Sequence, residues 1–271
     1  MTSAMIEKLV RFQDPERTLG YARGLDDTTR AAIFGTDPAT YLQVVASLEE
    51  QRREAAAQLA ADPAVRLHLD RLPFERGQRI VAIGESTTAD RLSWFEILST
   101  LVAAERPDLE LSLVNAAVSG ATTTQTLAGL PALRRVQGDW TFCMLGSNDL
   151  QRFDGADGPR LVRNEETVRN LTELRRRQPS GGTTWVWVTP TRVDEAAVAR
   201  FPFFGAAGIS WSNADVDDLA ASIGGLGDLR IDTAAVTYGP GAFIEDGVHP
   251  SVETQKRLVV AVLAGIAADE G

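Results

Sequence analysis

Residues Ile80-Val81-Ala82-Ile83-Gly84-Glu85-Ser86-Thr87-Thr88 decide how this chain is read. Four apolar residues in a row, three of them β-branched, suit a strand buried on both faces, and such strands belong to parallel sheets with helices on either side. The run stops at a glycine and delivers a serine. That is how a strand hands a nucleophile to the start of a helix, where developing negative charge is favoured.

The pattern repeats downstream. Leu111–Asn115, Thr141–Leu145, Trp185–Val188 and Leu229–Asp232 are short apolar or β-branched runs. Between them, Leu92–Ala104, Glu165–Arg177 and Ala214–Ile223 have helical periodicity, and Val252–Ala268 closes the chain. Strands alternating with helices predict a parallel sheet covered on both faces, whose functional groups gather at the carboxyl ends of the strands. Ser86 follows the first strand, Gly120 the second and Asn148 the third, while Asp246 and His249 precede the last helix.

Upstream of Gln78 the reading is different. Asp37-Pro38 and Asp62-Pro63 each offer a capping carboxylate followed by a proline suited to the first helical position. Behind the first, Tyr41, Val45, Leu48, Arg52, Ala55 and Leu59 recur at helical spacing; behind the second, Val65, Leu69 and Leu72 share a face. Ile6, Leu9 and Val10 predict a helix ending before Asp14-Pro15, and Asp26 to Phe34 a short one closed by Gly35. No strand is expected here. Residues 1–76 read as a helical extension and 77–271 as an α/β domain.

Composition excludes several function classes. The net charge of −10 argues against nucleic acid or an anionic membrane surface as partner. Arginine supplies nearly all the positive charge, since Lys8 and Lys256 are the only lysines; with abundant alanine this suits a GC-rich bacterial genome. The one cysteine, Cys143, lies in an apolar run and reads as a small buried hydrophobe. The N-terminus lacks a basic start and long apolar stretch, so a cytoplasmic protein is expected. No apolar run approaches the ~18 residues of a membrane span. Cys and His do not cluster, so neither zinc nor another metal is indicated, and no cofactor is expected. His68, on a predicted helix without a metal-spaced partner, reads as structural or solvated.

The chemistry rests on four short blocks: Gly84-Glu85-Ser86, Asn115-Ala116-Ala117-Val118-Ser119-Gly120, Gly146-Ser147-Asn148-Asp149 and Asp246-Gly247-Val248-His249. Alone, each reads as an ordinary turn or cap. Together and in this order they resemble the SGNH (GDSL-type) hydrolases over roughly residues 78–268. The resemblance implies a three-layer α/β/α fold with a mostly parallel, flavodoxin-like five-stranded sheet. It also implies Ser86 as nucleophile, His249 as base, Asp246 as the group that orients the base, and an oxyanion hole from the amides of Ser86 and Gly120 with the Asn148 side chain.

Two positions depart from that family's pattern. Glu85 stands where an aspartate is usual, and Ala117 where a glycine is usual. The first should reshape local hydrogen bonding, and the second narrow the entrance. Phe203, Phe204 and Trp211, in the least regular stretch (192–213), either line an acyl pocket or pack an irregular loop. The expected activity is hydrolysis of a small or medium ester through an acyl-enzyme. Transfer of the acyl group to an alcohol or amine is the alternative within the fold. A protein-interaction role for the N-terminal helices is the alternative outside it. Those helices should pack on the catalytic domain or form a homodimer interface, without supplying a reacting group.

Overall fold

The computed structural model describes residues 2–177 and 182–267. Five strands form one parallel sheet: β1 (Arg79–Gly84), β2 (Ser112–Asn115), β3 (Trp140–Met144), β5 (Thr184–Val188) and β7 (Leu229–Ile231). The spatial order β2-β1-β3-β5-β7 is the flavodoxin-like winding. It reverses direction between β1 and β3, and the crevice at that switch point is where Ser86 emerges. Two further strands were not foreseen: β4 (Arg152–Phe153) and β6 (Ile209–Ser210) pair antiparallel as a small ribbon beside the sheet. Two-residue strands carry too little alternation to be read from sequence.

The helices are α1 (Ser3–Phe12), α2 (Pro15–Thr18), α3 (Asp27–Ile33), α4 (Pro38–Ala60), α5 (Pro63–Asp70), α6 (Ser86–Ala89), α7 (Trp94–Glu105), α8 (Thr123–Ala128), α9 (Leu130–Leu133), α10 (Asn164–Arg176), α11 (Glu195–Arg200), α12 (Pro202–Ala207), α13 (Asn213–Gly224) and α14 (Val252–Ala267). Ala268, placed in the last helix by sequence, lies outside the described residues. The caps form as their chemistry requires: Asp37 accepts the Thr40 amide at 2.9 Å, and Asp62 the Ala64 amide at 2.8 Å. The stretch expected to be irregular, 192–213, folds instead into α11, α12 and β6.

Each face of the sheet has its own apolar layer. One contains Trp94, Phe95, Leu98 and Leu101 of α7, Leu258, Val262 and Leu263 of α14, and Phe142 of β3. Ala55, Ala56 and Leu59 of α4 and Val65 and Leu69 of α5 belong to this same cluster. The N-terminal helices thus share the main core. The opposite layer gathers Leu171 and Leu174 of α10, Val216 and Leu219 of α13, and Trp185 and Trp187 of β5. Cys143 is fully buried there, and burial followed by the charge of Glu85 pushes its thiol pKa up, away from reactivity. Among the described residues no helix is long and apolar enough to cross a membrane.

Candidate active site

Ser86 begins α6 immediately after β1. Gly84 makes this sharp exit possible: a Cβ there would lie 2.6 Å from Thr88 Oγ1 and 3.1 Å from the Met144 carbonyl oxygen. The turn is held from behind by α14, where Gln255 accepts the Trp94 amide at 2.7 Å and donates to the Thr87 carbonyl at 3.2 Å.

Ser86 Oγ lies 2.9 Å from His249 Nε2, and His249 Nδ1 lies 2.8 Å from Asp246 Oδ2. Ser86, 163 residues before His249, thus forms one continuous line with the His249–Asp246 pair. The turn Asp246-Gly247-Val248-His249 gives the acid its aim. Gly247 takes φ +74°, and any Cβ there would strike the Asp194 carbonyl at 2.6 Å. Asp246 Oδ1 accepts the amides of Val248 (3.1 Å) and His249 (3.0 Å), leaving Oδ2 to the imidazole. Burial alone would raise the Asp246 pKa. The hydrogen bond and charge of His249, its backbone amide and the charge of Lys8 outweigh burial and hold the carboxyl well below the usual range. Asp246 is therefore an anion, suited to hold the ring in one tautomer and to stabilise an imidazolium.

Two of the expected oxyanion donors are unoccupied. Among the described residues neither the Ser86 nor the Gly120 amide has a backbone hydrogen-bond partner. Asn148 carries the third expected donor. Its Oδ1 accepts from Gln151 Nε2 at 3.0 Å, while Nδ2 donates to the Ala121 carbonyl at 3.1 Å, beside Gly120. The amide therefore points its donor toward the second block, with one N–H to spare.

Glu85 explains how that third block is held. Its buried carboxyl accepts the amides of Gly146 (3.3 Å), Ser147 (3.1 Å) and Asn148 (3.5 Å). Burial first, then the charge of Asp149, pushes Glu85 up to about 8. Asp149 is itself raised by burial, although it accepts from the Thr123 amide and from the hydroxyls of Thr123 and Thr167. Asn115 orders the second block, accepting the Ala117 amide at 3.0 Å and donating to the Thr88 carbonyl at 2.7 Å.

The aromatic residues divide. Phe203, two-thirds exposed, and Phe204 line a cavity of about 560 Å³ over Asp246 and His249. Trp211 does not line that cavity and takes the other expected place, in the packing. It is buried beneath Phe204 (ring centroids 5.0 Å apart) and donates from Nε1 to the Ser147 carbonyl at 2.9 Å. The polar end of an otherwise apolar ring sought a buried partner.

Packing of the N-terminal helices on the catalytic domain was expected, but not the contacts that α1 makes with Asp246 and His249. Lys8 Nζ lies 3.0 Å from Asp246 Oδ2, and the Phe12 ring packs 4.4 Å from the His249 ring centroid. The only signals were the scarcity of lysine and the apolar face formed by Met5, Leu9 and Phe12. α1 is stapled next to the Ser86 turn by Arg11, which grips buried Asp90 at 2.9 and 2.7 Å.

Comparison in three dimensions finds this fold in Axe2, an acetylxylan esterase from Geobacillus stearothermophilus. The two are 22% identical, with a TM-score of 0.56 over 71% of this chain and 95% of that one. It is also found in LAE5, an alpha/beta hydrolase enzyme from the metagenome of Lake Arreo, Spain. That protein is 20% identical, with a TM-score of 0.54 over 71% of this chain and 96% of the other. No curated protein matches the sequence. The profile of the GDSL-like Lipase/Acylhydrolase family matches residues 82–257, a span that begins inside β1, includes all four blocks from Ser86 on, and excludes α1–α5. On that match the chain belongs to the GDSL-like Lipase/Acylhydrolase family.

Proposed function

We propose that the protein hydrolyses carboxylic esters of small to medium size through an acyl-enzyme on Ser86. The observation that carries this reading is the unbroken line Ser86 Oγ–His249 Nε2, His249 Nδ1–Asp246 Oδ2, at 2.9 and 2.8 Å. Serine is a poor nucleophile until a base takes its proton. In this reading Nε2 accepts the proton as Oγ bonds to the ester carbonyl carbon. The amides of Ser86 and Gly120 and the Asn148 side chain receive the oxyanion. Nε2 then returns the proton to the departing alcohol oxygen. Water repeats the sequence on the acyl-enzyme, releasing the acid and restoring Ser86.

Axe2 lends support. In that esterase a serine, an aspartate and a histidine are catalytic, the last two separated by three positions as Asp246 and His249 are. The test is hydrolysis of p-nitrophenyl acetate by wild type and Ser86→Ala. Loss of a triad nucleophile typically costs on the order of 10⁶ in kcat. Retention of more than a few per cent of the wild-type rate by a folded Ser86→Ala would overturn the assignment.

A further inference from the structure

The cavity over the base has two apolar walls from distant parts of the chain. Met5, Leu9 and Phe12 of α1 form one, and Phe201, Phe203 and Phe204 the other. Asp246 and His249 lie on its floor. Lys8 joins the walls: its ammonium is bound to Asp246 and sits 4.6 Å from the Phe201 ring centroid. Its charge is thereby committed, and it does not offer a free cation to a ligand. At about 560 Å³ the space falls within the ~300–1,000 Å³ usual for small-molecule sites and far exceeds what an acetyl group needs.

Position decides which half of an ester enters. The departing alcohol oxygen must come within hydrogen-bond reach of His249 Nε2 to take its proton. The substituent on that oxygen therefore continues along the histidine, where this cavity lies. Sugar hydroxyls entering it would give up water for a lining that is mostly aromatic and aliphatic, where only Thr2, Gln13, Ser119 and Glu245 add polar side chains to Lys8, Asp246 and His249.

Building on the ester-hydrolase reading, we propose that this cavity is the leaving-group site, and that it selects esters of apolar aliphatic or aryl alcohols. The N-terminal helix α1, which lies outside the family match, is then half of the specificity pocket. Each methylene of the alcohol buried there raises kcat/KM by up to about fourfold.

The experiment follows acid release from methyl, butyl and hexyl acetate and from a peracetylated xylose, using full-length protein. A steady rise from methyl to hexyl acetate is expected, with the sugar ester slower than hexyl acetate. Leu9→Trp, which fills the cavity from α1, should collapse the hexyl-to-methyl ratio toward one. Phe203→Ser should lower the ratio severalfold; its ring is largely exposed, so this variant should fold even if Leu9→Trp does not. A flat alcohol series, the sugar ester as best substrate, or an unchanged ratio in Phe203→Ser would overturn the inference while ester hydrolysis stands. A p-nitrophenyl ester series in which only lengthening the acyl chain raises kcat/KM would reassign the cavity to the acyl group. Absence of turnover on every ester, or full activity in Ser86→Ala, would instead sink the underlying reading.

Discussion

Lys8 Nζ and His249 Nδ1 meet the same oxygen, Asp246 Oδ2, at 3.0 and 2.8 Å. A residue near the N-terminus thus shares a carboxylate oxygen with His249, 241 positions later. Asp246 is buried while Lys8 is about one-third exposed, so solvent screens part of the interaction. Lys8→Met keeps the aliphatic stem and removes the charge. It should lower kcat roughly three- to tenfold with KM little changed, and Lys8→Arg should recover most of the loss. Steady-state kinetics on one short ester decide it; an unchanged kcat in Lys8→Met would show that Asp246 needs no clamp.

Asn148 presents its amide beside Gly120, fixed by Gln151 on one side and the Ala121 carbonyl on the other. A donor that gains most once the oxyanion exists acts on kcat. Asn148→Ala should lower kcat by roughly 10²–10³ with little effect on KM. A rise in KM at constant kcat would make Asn148 a substrate-binding residue instead.

Glu85 and Asp246 should shape stability in opposite pH ranges. Glu85 is raised from 4.5 to about 8, so the folded chain holds a proton that the unfolded chain has released. Stability therefore falls as pH climbs from about 4.5 to about 8, by at most a few kcal/mol, and levels off above that. Asp246 is lowered below 3.8, so its contribution is present above that value and is lost as pH falls through its folded pKa. Melting temperatures between pH 5 and 9 should decline in wild type and decline less in Glu85→Gln, where Asp149, also raised by burial, remains. Parallel declines in both proteins would remove Glu85 as the cause.

The sheet was legible from local sequence, and so was the meeting of Ser86, His249 and Asp246 from four blocks that resemble one family. The run Ile80–Ile83 carries its strand signal within itself, and the blocks at Ser86 and Asp246 follow from glycines that the turns require. What stayed hidden depends on contacts between distant residues. Lys8 reads as one of two lysines until folding sets it against Asp246. Trp211 reads as an aromatic on an irregular loop until the Ser147 carbonyl claims its N–H. The boundary at residue 76 marks a change in composition, not in packing, because Ala55, Leu59 and Val65 join the core of the sheet.

That shared core makes a coarse truncation informative. Removing residues 1–70 would strip Ala55, Ala56, Leu59, Val65 and Leu69 from the cluster around α7 and α14. The uncovered apolar face should lower the melting temperature or cause aggregation. A truncated protein as soluble and as stable as the full chain would mean that the N-terminal helices form an independent module.

A finer test separates attachment of α1 from the rest of the extension. Arg11 donates twice to Asp90, whose side chain is fully buried, and Asp90 also accepts the Leu92 amide at 2.8 Å. Two further ties come from Arg91, which donates to the carbonyls of Arg11 (3.0 Å) and Val10 (2.9 Å). Removing the cation alone strands a buried carboxylate, which typically costs about 3–5 kcal/mol, whereas neutralising both partners costs less. Arg11→Leu should therefore destabilise by roughly 2–4 kcal/mol in denaturant titrations, and Arg11→Leu/Asp90→Asn should recover at least half of that. If the pair is what holds α1 over the base, tryptic cleavage after Lys8 should accelerate in Arg11→Leu, with the loss of ester turnover tracking that cleavage. Cleavage at the wild-type rate would mean that the Arg91 ties and apolar packing hold α1 by themselves.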